Sequence, residues 1–238
     1  MTQTPLIIGN WKMHKTIAEA VAFVKVLEER LDPKRPPPYL AVPFTAIRAC
    51  SGYAVHSWIG AQNMCDAAEG AYTGEISAHM LVDAGARFVL LGHSERRYLF
   101  GEGDGLIRRK VERAIQANLR PILCVGEHLE ERQAGQTEAV IGRQLEAALA
   151  GLEGLGGLTI AYEPVWAIGT GQHATPEQAQ LVHQFIRRFI PHVSILYGGS
   201  VHPDNAAALL KQPDVDGLLV GRAALEVDSF LSICNAGR

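Results

Sequence analysis

The sequence predicts an α/β protein folded as a closed (β/α)8 barrel, a single domain spanning residues 1–238. Three observations carry that prediction. Short apolar runs alternate with helical patterns along the whole chain. The runs are continuous in Val, Ile and Leu rather than alternating with polar residues, as parallel strands covered on both faces require. Eight such units occur in 238 residues, close to the ~250 residues typical of this barrel. A doubly wound open sheet shares the alternation and is the competing architecture.

The elements follow in order. The first run, Leu6–Gly9, precedes an apolar stripe, Ile17, Val21, Val24 and Leu27, spaced as one face of a helix. Arg35-Pro36-Pro37-Pro38 lies too near the start to separate domains and reads as a rigid loop entering the second run, Tyr39–Val42. The stretch Ala46–Ser57 is short for a whole helix, so a truncated helix is expected before the third run, Trp58–Ala61. The fourth run, Phe88–Gly92, is followed by Ser94, an expected N-cap with Glu95 in the first helical turn. Next, Arg108-Arg109-Lys110 sits among Ile107, Val111, Ala114 and Ile115 and reads as a solvated helix face.

The fifth run is Pro121–Gly126, and the glycine-rich loop Gly151–Gly157 leads to the sixth, Leu158–Tyr162. Thr175, Pro176 and Gln178 supply an N-cap, a first-turn proline and a capping box for a helix reaching Ile190. Val193–Gly198 and Leu218–Gly221 complete the set.

Bulk properties remove several classes of function. A net charge of −3 and the absence of a basic track argue against a nucleic-acid partner. The four cysteines, Cys50, Cys65, Cys124 and Cys234, are scattered without a CxxC pair, so neither a zinc site nor a disulfide framework is expected. Cys124 reads as small core filler. Neither a signal-peptide pattern nor a bilayer-spanning run is present, which makes a cytoplasmic protein without a membrane partner the expectation.

The strand ends carry the polar residues, where an α/β barrel places its chemistry. The sixth run stops at Glu163, and Pro164 forbids the ladder from continuing. Behind it an apolar loop, Val165–Ile168, closes on Gly169-Thr170-Gly171, a hinged segment suited to fold over a small ligand. The first run ends Asn10-Trp11-Lys12, placing an ammonium where low dielectric disfavours it unless an anion is met. His93 follows the fourth run beside the positive end of a helix, which favours a neutral ring. Tyr197-Gly198-Gly199-Ser200 and Val220-Gly221-Arg222 offer glycines whose backbone N–H groups can approach an anion, and phosphate sites recur after strands seven and eight.

A carboxylate, a neutral donor and a cation beside a phosphate clamp define proton abstraction α to a carbonyl in a small phosphorylated substrate. Glu163 is the expected base. His93 and Lys12, helped by Asn10, stabilise the charge on the former carbonyl oxygen. A barrel acting on a ribose or indole phosphate, and a barrel kept as a binding or scaffolding protein, are the rival readings.

The segments Asn10-Trp11-Lys12-Met13, Ala61-Gln62-Asn63, Thr73-Gly74-Glu75, Gly92–Arg97, Cys124–Glu127, Tyr162–Gly171 and Tyr197–Val201 resemble the motifs of triosephosphate isomerases, in family order and over nearly the whole chain. Those enzymes pair a glutamate base with a neutral histidine electrophile, so the role assignment above follows that precedent as well as the residues. The resemblance implies a TIM barrel. It implies interconversion of dihydroxyacetone phosphate and D-glyceraldehyde 3-phosphate through an enediol(ate), an aldose–ketose isomerisation in glycolysis and gluconeogenesis with no cofactor and no metal. It further implies Glu163, His93, Lys12, Asn10 and the supporting carboxylate Glu95 as catalytic residues. Asn10 and Lys12 are implied as substrate contacts, with backbone phosphate contacts at Gly169, Ser200, Gly221 and Arg222.

The chain departs from the family pattern in three places. Arg222 stands where a second glycine is usual, Gln172-His173 replaces a Lys-Thr-like hinge, and His14 stands where Asn is common. A homodimer is implied, with the loop 63–75 inserted into the neighbouring subunit and Thr73 near its site. Met64 and Tyr72 on that polar loop read as contact surface.

Overall fold

In a computed structural model, which describes residues 4–167 and 174–236, eight parallel strands close into a barrel in sequence order. They are β1 Leu6–Asn10, β2 Tyr39–Val42, β3 Trp58–Ala61, β4 Phe88–Leu91, β5 Arg120–Val125, β6 Thr159–Tyr162, β7 Ser194–Tyr197 and β8 Gly217–Val220. Each predicted run coincides with a strand to within one residue at either end. The sheet closes where Leu6, Ile7, Ile8 and Gly9 pair with Gly217, Leu218, Leu219 and Val220. That closure decides against the open doubly wound sheet.

The described helices are α1 Ile17–Arg30, α2 Phe44–Ser51, α3 Ala78–Asp83, α4 Ser94–Leu99, α5 Asp104–Gln116, α6 Leu129–Gln133, α7 Thr137–Leu149, α8 Pro176–Phe189, α9 Pro203–Leu210 and α10 Val227–Cys234. The second helix is short, as expected. Thr175 caps α8 through a full capping box with Gln178.

The continuous apolar runs have a simple cause: each strand is buried twice. Ile8, Leu90, Ile122, Cys124, Ala161, Leu196 and Leu219 fill the barrel lumen with Tyr39 and Phe88. Their neighbours Ile7, Val89, Leu91, Leu123, Ile160, Ile195 and Leu218 face the helices in the larger outer core. Alternate residues therefore enter separate cores, and both must be apolar.

Four local expectations are corrected. Ile17 is 49% exposed, and the buried face of α1 is Ala20, Phe23, Val24 and Leu27; the larger Phe23 takes the inward position expected of Val21. Lys110 is not on a solvated face. It is 4% exposed, and its Nζ donates to Glu102 Oε1 at 2.7 Å and Asn63 Oδ1 at 2.8 Å. Two acceptors from separate loops make burial of that ammonium tolerable. Met64 is fully buried within its own chain rather than offered as a contact surface, whereas Tyr72 is 54% exposed. Finally, the N-cap of α4 is His93, with Ser94 the first helical residue.

Candidate active site

The polar strand ends meet at the carboxyl mouth of the barrel. A cavity of about 310 Å3 there is lined by Asn10, Lys12, His93, Glu163, Ser200, Gly221 and Arg222, with Gly198, Gly199, Val201 and Leu219. Strand parity explains part of the convergence. Ile8 and Ala161 point into the lumen, so Asn10 and Glu163, two residues further on, continue on the inward side as the strands end. His93 arrives differently, through a turn at Gly92 with φ +68°, a conformation glycine adopts without strain.

Glu163 is 2% exposed. Ser94 N donates to its Oε2 at 2.8 Å, and His93 Nε2 lies 2.9 Å from its Oε1. The backbone of Glu163 lies so close to residue 126 that glycine is required there: a Cβ would stand 1.8 Å from the Glu163 carbonyl oxygen. Burial alone pushes Glu163 up, but His93 and the Ser94 N–H outweigh it, so the carboxyl group lies below its ordinary 4.5.

His93 is held at both ring nitrogens. Glu95 N donates to Nδ1 at 3.2 Å. Nδ1 therefore carries no proton, and the neutral ring bears its hydrogen on Nε2. Burial pushes the imidazole down; the adjacent Glu163 carboxylate overrides this and raises it above 6.5. The sequence revealed the helix terminus, which favours the neutral ring. It did not reveal the carboxylate, which opposes that effect while it sits on Nε2.

Lys12 adopts φ +52°, a strained conformation for a side chain of its size. Asn10 Oδ1 closes the turn by accepting from Lys12 N at 2.9 Å. Gln62 Nε2 holds the Lys12 carbonyl at 2.9 Å and that of Ala41 at 3.0 Å. The ammonium meets its anion in Glu95 Oε1 at 2.6 Å. Sequence reasoning assigned no role to Gln62; a polar residue directly after the apolar run Trp58–Ala61 was the available signal.

Behind the site, Glu127 is fully buried. It accepts from Tyr162 Oη at 3.0 Å, Trp166 Nε1 at 3.1 Å and Arg132 Nη1 at 3.3 Å. This nest ties down the 3-10 turn Val165–Ala167 that begins the expected lid. Gly169 and Gln172-His173 lie outside the described residues.

Among the described residues no group of three or more His, Cys, Asp and Glu side chains could hold a metal ion. No described helix is long and apolar enough to cross a membrane.

Comparison with known proteins adds a family-wide signature. The family model for triosephosphate isomerase matches residues 5–237. The chain is 51% identical to a triosephosphate isomerase of Protochlamydia amoebophila over 98% of its own length and 93% of the relative's. It is 49% identical to the triosephosphate isomerase of Thiobacillus denitrificans, over 97% of each chain. It is likewise 49% identical to that of Symbiobacterium thermophilum, over 98% and 97%.

Proposed function

Because the chain belongs to the triosephosphate isomerase family, and is an isomerase of that type, we propose that its barrel mouth interconverts dihydroxyacetone phosphate and D-glyceraldehyde 3-phosphate with Glu163 as the base. The observation that carries this reading is the contact of a buried, ionised carboxylate with an imidazole whose Nε2 bears the proton, 2.9 Å apart, with an ammonium lining the same cavity.

The steps follow from those groups. The phosphate lies against the backbone of Ser200, Gly221 and Arg222, which line the cavity and whose N–H groups can donate to an anion. The carbonyl end lies between His93 Nε2 and Lys12 Nζ. Glu163 leaves Ser94 N and His93, turns into the cavity and takes a proton from the substrate carbon. Negative charge develops on the former carbonyl oxygen, and the His93 N–H and Lys12 ammonium meet it, with Asn10 holding the Lys12 turn.

Once Glu163 has moved, burial, the Glu95 N–H and the Lys12 ammonium favour the neutral donor on His93 against the Glu95 carboxylate. Glu95 steadies Lys12 through the 2.6 Å pair. The proton then returns from Glu163 to the neighbouring carbon. Exclusion of water from the intermediate is the role read from the sequence for Pro164–Ala174, of which residues 168–173 lie outside the described ones.

A homodimer completes the reading. Met13, Phe44 and Phe100 line an apolar recess next to the site and are 95%, 41% and 64% exposed in the isolated chain. The loop 63–75, with exposed Tyr72 and Thr73 at its tip, is a complementary insert for that recess in a second copy. Work in central sugar metabolism, in the cytoplasm, follows from the substrate.

The test is turnover of glyceraldehyde 3-phosphate without added metal or cofactor, run in D2O. Isomerisation with deuterium entering the product carbon is expected. Absence of turnover, or turnover without exchange at that carbon, would overturn the proton-transfer reading.

A further inference from the structure

We infer that Arg222 binds the substrate phosphate with its guanidinium, adding a side-chain charge to a site otherwise built from backbone N–H groups. This rests on the triose phosphate reading of the cavity.

Arg222 heads the 3-10 turn Arg222–Leu225 after β8. Two contacts from the far end of the chain pin that turn: Trp11 Nε1 donates to Ala224 O at 3.1 Å, and Lys15 Nζ donates to Leu225 O at 2.9 Å. Trp11 is fully buried. Lys15 adopts φ +74°, which brings its ammonium over the rings of Trp11 and Phe23, 5.4 and 4.9 Å from their centroids. The base of Arg222 is thus fixed, while the residue itself is exposed and lines the cavity together with Ser200. Among the described residues no ion pair or hydrogen bond engages its guanidinium.

The charge balance of the wall gives this arginine its task. Lys12 is partly neutralised by Glu95, just outside the cavity, at 2.6 Å, and Glu163 adds a second carboxylate within it. One ammonium against two carboxylates is a poor host for a phosphate dianion. Arg222 restores the balance, and its planar fork matches two phosphate oxygens where a lysine offers a single point charge. The phosphate does not react, so this contact strengthens ground and transition states together and acts on KM more than on kcat.

The experiment measures inhibition by inorganic phosphate, and its direct binding by calorimetry, in the parent, Arg222→Gln and Arg222→Lys. All three keep the backbone N–H of residue 222. An increase of about 10-fold in Ki and KM for Arg222→Gln is expected, equal to about 1.4 kcal/mol, with Arg222→Lys between. The dependence of phosphate affinity on salt becomes shallower in Arg222→Gln. Values within two-fold of the parent at low salt overturn the inference, as does a parent that binds no phosphate. A parent that binds phosphate through Arg222 yet isomerises no triose phosphate upholds the inference and removes the isomerase reading instead.

Discussion

Two regions at the end of the barrel each hold a buried carboxylate and a buried histidine, and only one pair touches. At the mouth, Glu163 and His93 are 2.9 Å apart. Behind the sheet, Tyr162 stands between Glu127 and His183. Its hydroxyl donates to Glu127 at 3.0 Å, and its ring packs edge-on against His183, with centroids 5.9 Å apart. The consequences are opposite. Burial pushes both imidazoles down, but His93 ends above 6.5 because Glu163 is beside it. Among the described residues His183 has only the Asp214 carbonyl, at Nδ1, 3.0 Å away, and falls to about 4. Burial of titratable groups therefore does not mark chemistry; direct contact between two of them in a cavity does. The carboxylates differ in the same sense. Glu127 accepts from three side chains on separate elements and anchors a turn. Among the described residues Glu163 is held by His93 and the Ser94 N–H, with no lysine or arginine paired to it, so it can leave both.

Exchanging each carboxylate for its amide is the harshest trial of that contrast. Glu163→Gln removes the base, and a loss of about 10²–10⁴-fold in kcat is expected, with affinity for inorganic phosphate retained. Glu127→Gln keeps the shape and the base, so turnover falls far less, while the fluorescence of Trp166 changes in a variant with Trp11 and Trp58 replaced by Phe. Equal losses of turnover in the two amides would show that Glu163 is no more than another structural carboxylate.

The second trial concerns His183. Above pH 6.5 its ring is neutral in both folded and unfolded chains, and its contribution to stability is complete. As pH falls from 6.5 toward the folded value of about 4, the unfolded chain takes up a proton that the folded chain refuses, and stability drains away. The full loss is on the order of 3 kcal/mol, at 1.36 kcal/mol per pKa unit. Urea unfolding at pH 7.5 and pH 4.5 measures it, and His183→Gln isolates it from the titrating carboxylates. The parent is expected to lose more stability between the two pH values than the variant; parallel losses would mean that His183 is protonated in the fold.

The sequence made the fold legible because the barrel buries each strand on both faces, and eight continuous apolar runs fit hardly any other architecture in a chain of this size. Strand ends were legible for the same reason: Glu163, Asn10 and Lys12 interrupt those runs. What stayed hidden depends on pairings between distant segments. Lys110 looked solvated because Glu102 and Asn63, its acceptors, lie on other loops. Ser94 looked like a cap because nothing local announces that His93 Nδ1 takes the Glu95 N–H. Met64 looked like a contact residue because periodicity says nothing about a loop that folds back under itself. The Glu163–His93 contact joins residues far apart in the chain, so neither the lowered carboxyl nor the raised imidazole could be read along it.

The finest test follows the pH profile of that contact. The kcat/KM of a free enzyme reports the ionisation of its essential groups. Glu163 must be a carboxylate and His93 a neutral donor to act; Glu163 lies below 4.5 and His93 above 6.5, so the acid limb of kcat/KM in the parent is expected above pH 6.5 and belongs to His93. His93→Gln keeps an N–H donor but removes the charge that, after burial, acts most strongly on Glu163. Burial, which raises the carboxyl pKa, then meets only the Ser94 N–H and the more distant Lys12. The residual activity of His93→Gln should therefore lose the limb set by the imidazole and fall with the ionisation of Glu163 alone. A limb that stays in place would mean that the imidazole does not set it in the parent; the mouth would then differ from the Glu127 nest in mobility and not in charge coupling.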